Sequence, residues 1–184
     1  MRKPSTESPS SQAAADTDKK VEIAAVRLLA RREHGTRELK RKLSAKGHEE
    51  GAVDRVVEKL GTKKLVSDER FVSAFVHHHA RRGQGPVRIR AELRQQGIAD
   101  SQIEQEIAAS TVDWVSVATE VRRRKFGTQP PASLAERAKQ ARFLQYRGFT
   151  ADQIRAALQT QEGDNEGQCD ADPSSESVDQ DWPD

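Results

Sequence analysis

The sequence predicts an all-α fold, an elongated, curved array of three tandem three-helix repeats. Three observations lead there: amphipathic helix signals follow one another with short breaks, strand-like alternation is absent, and the chain repeats against itself. With 184 residues, 34% of them hydrophobic and only 4% aromatic, the polar balance argues against one large core. A compact bundle of the same helices is the alternative arrangement.

Residues 1–17 are rich in Ser, Pro, Ala and Thr. They are expected to form a disordered extension, because they bury too little apolar surface to offset their ordering entropy. The first repeat is placed at 18–66. Its run VEIAAVRLLARREHG puts Val21, Ala24, Ala25, Leu28 and Leu29 on one stripe, with charges opposite. The second and third repeats are placed at 67–111 and 112–160, and residues 161–184 form an acidic tail that is also expected to be disordered. Gly35, Gly47, Gly61, Gly83, Gly97, Gly127 and Gly148 stand where helices should stop. Pro86 suits a first helical position, while Ser101 with Glu104, Ser133 with Glu136 and Thr150 with Gln153 have capping-box spacing.

The repeat register is set by Gly47, Gly97 and Gly148, which lie 50 and 51 residues apart. Four residues before each comes Leu43, Leu93 or Leu144; six after comes Val53, Ile103 or Ile154; ten after comes Val57, Ile107 or Leu158. Gly35 and Gly85 match at the same spacing. The third unit departs, because GTQPPAS interrupts it before Leu134.

The net charge of +2 conceals a segregation. Residues 1–20 carry four Lys/Arg and three Asp/Glu (+1), residues 21–160 carry 27 and 17 (+10), and residues 161–184 carry none and nine (−9). A basic body implies a polyanionic partner, and the acidic tail can compete for the same surface. The single cysteine, Cys169, excludes an intramolecular disulfide. No secretory h-region and no run of about 20 apolar residues is present, so a cytoplasmic location without membrane contact is expected.

Five arginines, Arg81, Arg82, Arg88, Arg90 and Arg94, form the strongest chemical feature. Arg90 and Arg94 are four apart and share a helix face. Lys40 stands where Arg90 stands in the next unit, beside Arg37, Arg41 and Lys42, and a second run, Arg122, Arg123, Arg124 and Lys125, closes a helix before Gly127. Cations recurring from unit to unit suit a phosphate backbone or the carboxylates of an acidic protein surface. They also suit pairing with Glu38, Glu92 or solvent, and favourable placement at a helix C-terminus. Phe71 and Phe75 are four apart and read as core, and Trp114, Phe126, Phe143 and Tyr146 also fall at helical spacing, which leaves base stacking poorly supported. His77, His78 and His79 point about 100° apart on a helix and cannot converge on one metal ion. A Walker loop, zinc-ligand spacing and a nucleophile–histidine pairing are absent, and the GxG of Gly83 and Gly85 lacks the strand a dinucleotide site needs. Neither catalysis nor a cofactor is expected.

At LLARREHGTRELKRKLSAKG, at LVSDERFVSAFVHHHARRGQGPVRIRAELRQQGI, and at DWVSVATEVRRRKFG with FLQYRGFTADQIRAAL, the chain resembles the RecX family, the regulators of the bacterial RecA recombinase. The resemblance runs from Val21 to Leu158 and omits both tails. It implies a curved array of three three-helix units that binds RecA and the RecA–single-stranded DNA filament, and a monomer is expected. It further implies blocked filament growth or disassembly, with lower ATPase, strand-exchange and co-protease activity. Two other readings stay open: a nucleic-acid-binding module acting through backbone contacts without the recombinase, and a scaffold whose acidic tail tunes binding by covering the basic face.

Overall fold

The structure, a computed structural model, describes residues 9–159, with side chains from residue 13. These residues form helices α1 (Pro9–Leu29), α2 (Thr36–Ser44), α3 (Glu50–Thr62), α4 (Asp68–Arg81), α5 (Pro86–Gln95), α6 (Asp100–Ala109), α7 (Trp114–Phe126), α8 (Leu134–Tyr146) and α9 (Ala151–Gln159). Among the described residues there is no strand. Residues 1–8 and the acidic tail at 161–184 lie outside the described residues.

The N-terminal expectation needs one correction. Composition places residues 9–17 in a disordered extension, yet they are the first part of α1. Pro9 occupies a first helical position, where its missing N–H is no loss, and Ala13, Ala14 and Ala15 have the best helix propensity of any residue. The helix is then tied to α3 by Arg55 donating to Asp18 at 2.7 Å and Lys59 to Glu22 at 2.8 Å.

Helices pack in threes around separate cores. Val21, Ala25, Leu39, Leu43, Val53, Val56, Val57 and Leu60 fill the first. Phe71, Val72, Val76, Ile89, Leu93, Ile103 and Ile107 fill the second. Ala118, Leu144, Phe149, Ile154, Ala157 and Leu158 fill the third. Three cores rather than one set the arrangement apart from a compact bundle. The residues that define the repeat are the ones at the centre: Leu43, Leu93 and Leu144 are all 0% exposed. Each such leucine removed from water contributes about 1.5–3 kcal/mol.

Two glycines do other work than ending a helix. Gly35 caps the start of α2 in extended conformation, and Gly61 lies inside α3, whose chain instead turns at Lys64 with φ 56°. Of the three capping boxes, the one at Thr150 closes in both directions, Gln153 Oε1 accepting from Thr150 N at 2.9 Å and Thr150 Oγ1 from Gln153 N at 3.3 Å. At Ser133 the hydroxyl accepts from Glu136 N at 3.2 Å, while Glu136 accepts from Ala132 N at 2.8 Å. The box at Ser101 does not form, because α6 starts one residue earlier at Asp100 and Glu104 turns to Arg90.

The units are joined through the ends of their second helices, and the second and third also through their first helices, α4 and α7. At the joint of the second and third units, the first turn of α5 docks on the end of α8. Gly85 N donates to Arg147 O at 2.8 Å and Val87 N to Gly148 O at 2.9 Å. Two sets of helix-end groups that lack intrahelical partners thereby satisfy each other. The approach is so close that a Cβ on Gly85 would sit 2.3 Å from the Gly148 carbonyl carbon. Gly148 itself, at φ +89°, lets the chain turn away under Arg88. At the first joint α2 meets the end of α5 in the same sense, with the Arg37 side chain laid over Gly97. There Thr36 N donates to Asp68 Oδ1 at 2.7 Å, and Arg70 donates to Glu33 at 3.0 Å.

Candidate functional site

The repeat carries its ion pairs as well as its core. Lys40 on α2 meets Asp54 on α3 at 2.7 Å. Fifty residues on, Arg90 on α5 meets Glu104 on α6, also at 2.7 Å. Within a single helix, Lys42 pairs with Glu38 at 3.1 Å and Arg88 with Glu92 at 2.8 Å, the same two registers with the signs exchanged. Arg94 reaches Asp100 at 2.6 Å and Arg124 reaches Glu120 at 2.8 Å. Each such guanidinium or ammonium is already balanced, so an external phosphate would have to displace a carboxylate.

Sequence reasoning treated thirteen cations as one class, and the structure divides them. Lys40, Lys42, Arg88, Arg90, Arg94 and Arg124 are ion-paired. Arg37, Arg41, Arg81, Arg82 and Lys125 are exposed and have no carboxylate within ion-pair distance among the described residues. Arg41 reaches only Gln96, at 3.5 Å, and Arg81 donates to the His77 carbonyl at 3.3 Å. Arg123 is half-buried. Arg122 is 1% exposed and unavailable to any external partner, which removes it from the candidate surface. It falls on the inward face of α7 because Ala118, one helical turn earlier, is a core residue.

The uncommitted cations gather where units meet. Arg37 and Arg41 stand at the first joint, over Gly97 and Gln96. Arg81 and Arg82 end α4 beside Gly83, against which Val121 of α7 packs. The equivalent place in the first unit holds Arg31 and Arg32, fifty residues earlier, just past the end of α1, where Arg31 is open and Arg32 is paired with Glu38. Sequence reasoning passed over this pair, although the same spacing that aligned Gly35 with Gly85 would have found it. Every unit therefore closes its first helix on a basic cluster, where the positive charge also complements the helix C-terminus.

Arg122 donates to Gln129 O at 3.2 Å, while its Nε and one terminal nitrogen find no acceptor; Thr119 Oγ1 and Gln140 Oε1 are likewise buried without partners. Burial pushes the pKa of this guanidinium down, aided by Arg123. An uncompensated buried charge costs stability. Arg122→Met, which keeps the volume and drops the charge, is therefore expected to raise the thermal midpoint. A lower midpoint than wild type in calorimetry would contradict this account.

A buried polar cluster braces the first unit at the base of its joint. His34 Nδ1 and Glu38 Oε2 are 3.0 Å apart, with the residues 2% and 5% exposed. Burial alone would raise the Glu38 pKa, but hydrogen bonds from Arg32, Lys42 and His34 outweigh it and hold it at about 2. Burial also pushes His34 down. A carboxylate whose folded pKa is depressed adds stability that is complete above its unfolded pKa and disappears as pH falls toward about 2. His34, held neutral by the fold, adds stability that is likewise lost on acidification below its ordinary range. Glu38→Gln is expected to cost about 2–3 kcal/mol at neutral pH. It should also flatten the loss between pH 5 and 2 relative to wild type, measured by denaturant midpoints. Parallel wild-type and variant curves would contradict the cluster's role.

Comparison with known proteins settles the family. Models described as the first, second and third three-helix domains of RecX match residues 24–60, 67–106 and 112–158. The regulatory protein RecX of Halorhodospira halophila is 50% identical over 146 residues, covering 79% of this chain and 91% of its own. The chain belongs to the RecX family. The RecX of Pseudomonas savastanoi pv. phaseolicola is 42% identical, with 82% of this chain and 97% of its own covered. The fold matches that of a regulatory protein RecX crystal structure with a TM-score of 0.67 at 23% identity, covering 84% of this chain and 79% of that one. The Lactobacillus salivarius RecX structure matches with a TM-score of 0.66 at 21% identity, covering 79% and 96%. RecX relatives therefore account for the three units, and the acidic tail lies beyond the matched domains. No helix among the described residues is long and apolar enough to cross a membrane.

Proposed function

We propose that this RecX protein regulates the RecA recombinase by binding RecA on its single-stranded DNA filament, blocking extension or promoting disassembly. The observation that carries this reading is the recurrence, among the described residues, of exposed cations without a carboxylate partner at the end of each unit's first helix, Arg31, then Arg81 with Arg82, then Lys125, together with Arg37 and Arg41 at the first joint. A filament repeats its phosphates and its protein surface along one axis, and a binder built of repeats meets it with repeated contacts. The chain acts by occlusion as a monomer in the cytoplasm, through charge and shape, with neither catalysis nor a cofactor. Exposed arginines serve both partners, since a guanidinium binds phosphate and carboxylate alike.

The test is the single-stranded-DNA-dependent ATPase of RecA titrated with this protein. The account expects the rate to fall, with filament growth stopped at substoichiometric protein. An unchanged rate across a tenfold concentration range would sink it and leave a nucleic-acid-binding module without a recombinase partner.

A further inference from the structure

The third unit breaks the repeat in a way that leaves an opening. In the first two units a cation on the second helix bridges to an acid on the third, Lys40 to Asp54 and Arg90 to Glu104. The positions 51 residues beyond Arg90 and Glu104 hold Ala141 and Arg155. No bridge can form, and Arg155 pairs instead with Asp152 on its own helix at 3.0 Å. Ala141 and Arg155 line a groove of about 760 Å³ between α8, α9 and the start of α5, together with Leu134, Ala138, Ile154 and Leu158. Its edges show apolar surface to water, Leu134 being 85% exposed and Val87 49%.

The chain supplies a segment with the matching chemistry. It leaves α9 at Gln159, next to Leu158 of the groove. Residues 161–184 hold nine acids and no base, and their two largest apolar side chains, Val178 and Trp182, are four positions apart among Glu176, Asp179 and Asp181. Residues 134–159 carry five Lys/Arg against two Asp/Glu, so the charges are complementary. A chain of the length between Gln159 and Trp182 has a typical end-to-end distance of about 25 Å, enough to return to the unit it leaves.

We propose that the acidic tail docks on its own third unit, with Val178 and Trp182 in the apolar groove and the flanking carboxylates at Arg137 and Arg155. Docking holds the negative charge against the basic body and competes with a polyanionic partner. This regulatory consequence rests on the function proposed above, whereas the docking itself does not.

The experiment uses the full chain carrying Trp114→Phe, which leaves Trp182 as the sole tryptophan. Acrylamide quenching and emission maximum are compared with those of a free peptide of residues 161–184. Docking predicts severalfold weaker quenching and a blue-shifted maximum in the full chain, independent of protein concentration. Both readouts should return to the peptide's values with Ala138→Glu at unchanged helicity, or with Arg137→Glu and Arg155→Glu together if the first variant fails to fold. Quenching equal to the peptide's would overturn the proposal. Protection that survives groove variants, or that appears only at high concentration as expected for a second copy, would overturn it as well. Removing residues 160–184 should separately tighten single-stranded DNA binding by about tenfold. Protected Trp182 without that gain would retain the docking and reject its regulatory consequence.

Discussion

Gly85→Ala is expected to separate the second unit from the third. The backbone at Gly85 has φ −85° and ψ 165°, which any residue adopts, so alanine brings no strain of its own. The whole cost comes from the neighbour: the new methyl would lie 2.3 Å from Gly148 C and O and 2.4 Å from Phe149 N. These are backbone atoms with no rotamer to change. They also belong to the turn whose carbonyls accept from Gly85 N and Val87 N, so relieving the clash breaks those bonds. The expected loss is about 3 kcal/mol, at the upper end of overpacking effects. The buried residues of each core lie within one unit, with only Val112 and Trp114 of the third packed against the second core, so the second and third units should then unfold in separable steps. Denaturant unfolding followed by circular dichroism reads this directly. Gly47→Ala is the control, because its Cβ meets nothing within 4 Å. Its φ of +84° limits the penalty to about 1 kcal/mol. A single transition with an unchanged midpoint for Gly85→Ala would show that the joint contributes nothing.

The second large effect concerns charge. Replacing Arg37, Arg41, Arg81 and Arg82 together with Gln should lower affinity for single-stranded DNA and flatten its salt dependence. If all four meet phosphates, the slope of log K against log salt falls by about 2.8, at roughly 0.7 per contact. Replacing Arg88, Arg90 and Arg94 with Gln should change the slope less, since Glu92, Glu104 and Asp100 already balance them. Those variants instead free their acidic partners, and part of any loss of affinity will come from that added negative charge. Equal slope changes for the two sets, measured by fluorescence anisotropy over a salt series, would mean that ion pairing inside the protein does not select the contact residues.

The fold was legible in the sequence because its determinants are periodic. Leucine before glycine and aliphatic residues after it, at a fixed spacing, specify which side chains reach each core, and all of them are buried. Start signals that depend on one residue fared less evenly. Ser101 has the right spacing from Glu104, but the attraction of Arg90 across the unit prevails over a local cap. Composition misassigned residues 9–17, since it registers few apolar groups and not the helix propensity of an alanine run.

The candidate surface was legible only as a list of cations. Whether a cation is open depends on carboxylates that arrive from another helix, such as Asp54 for Lys40 and Asp100 for Arg94. Sequence spacing reveals i,i+4 partners such as Glu92 but not those. Arg122 differs again. In a run of four cations one must face inward when the helix is packed, and only the register of Ala118 shows which.

Binding to three targets side by side tests the central claim most directly: free RecA, bare single-stranded DNA, and the assembled RecA–DNA filament, at one salt concentration. The account predicts that the filament is bound more tightly than either component, and that replacing Arg37, Arg41, Arg81 and Arg82 weakens filament binding most. Equal affinity for filament and bare strand would contradict it.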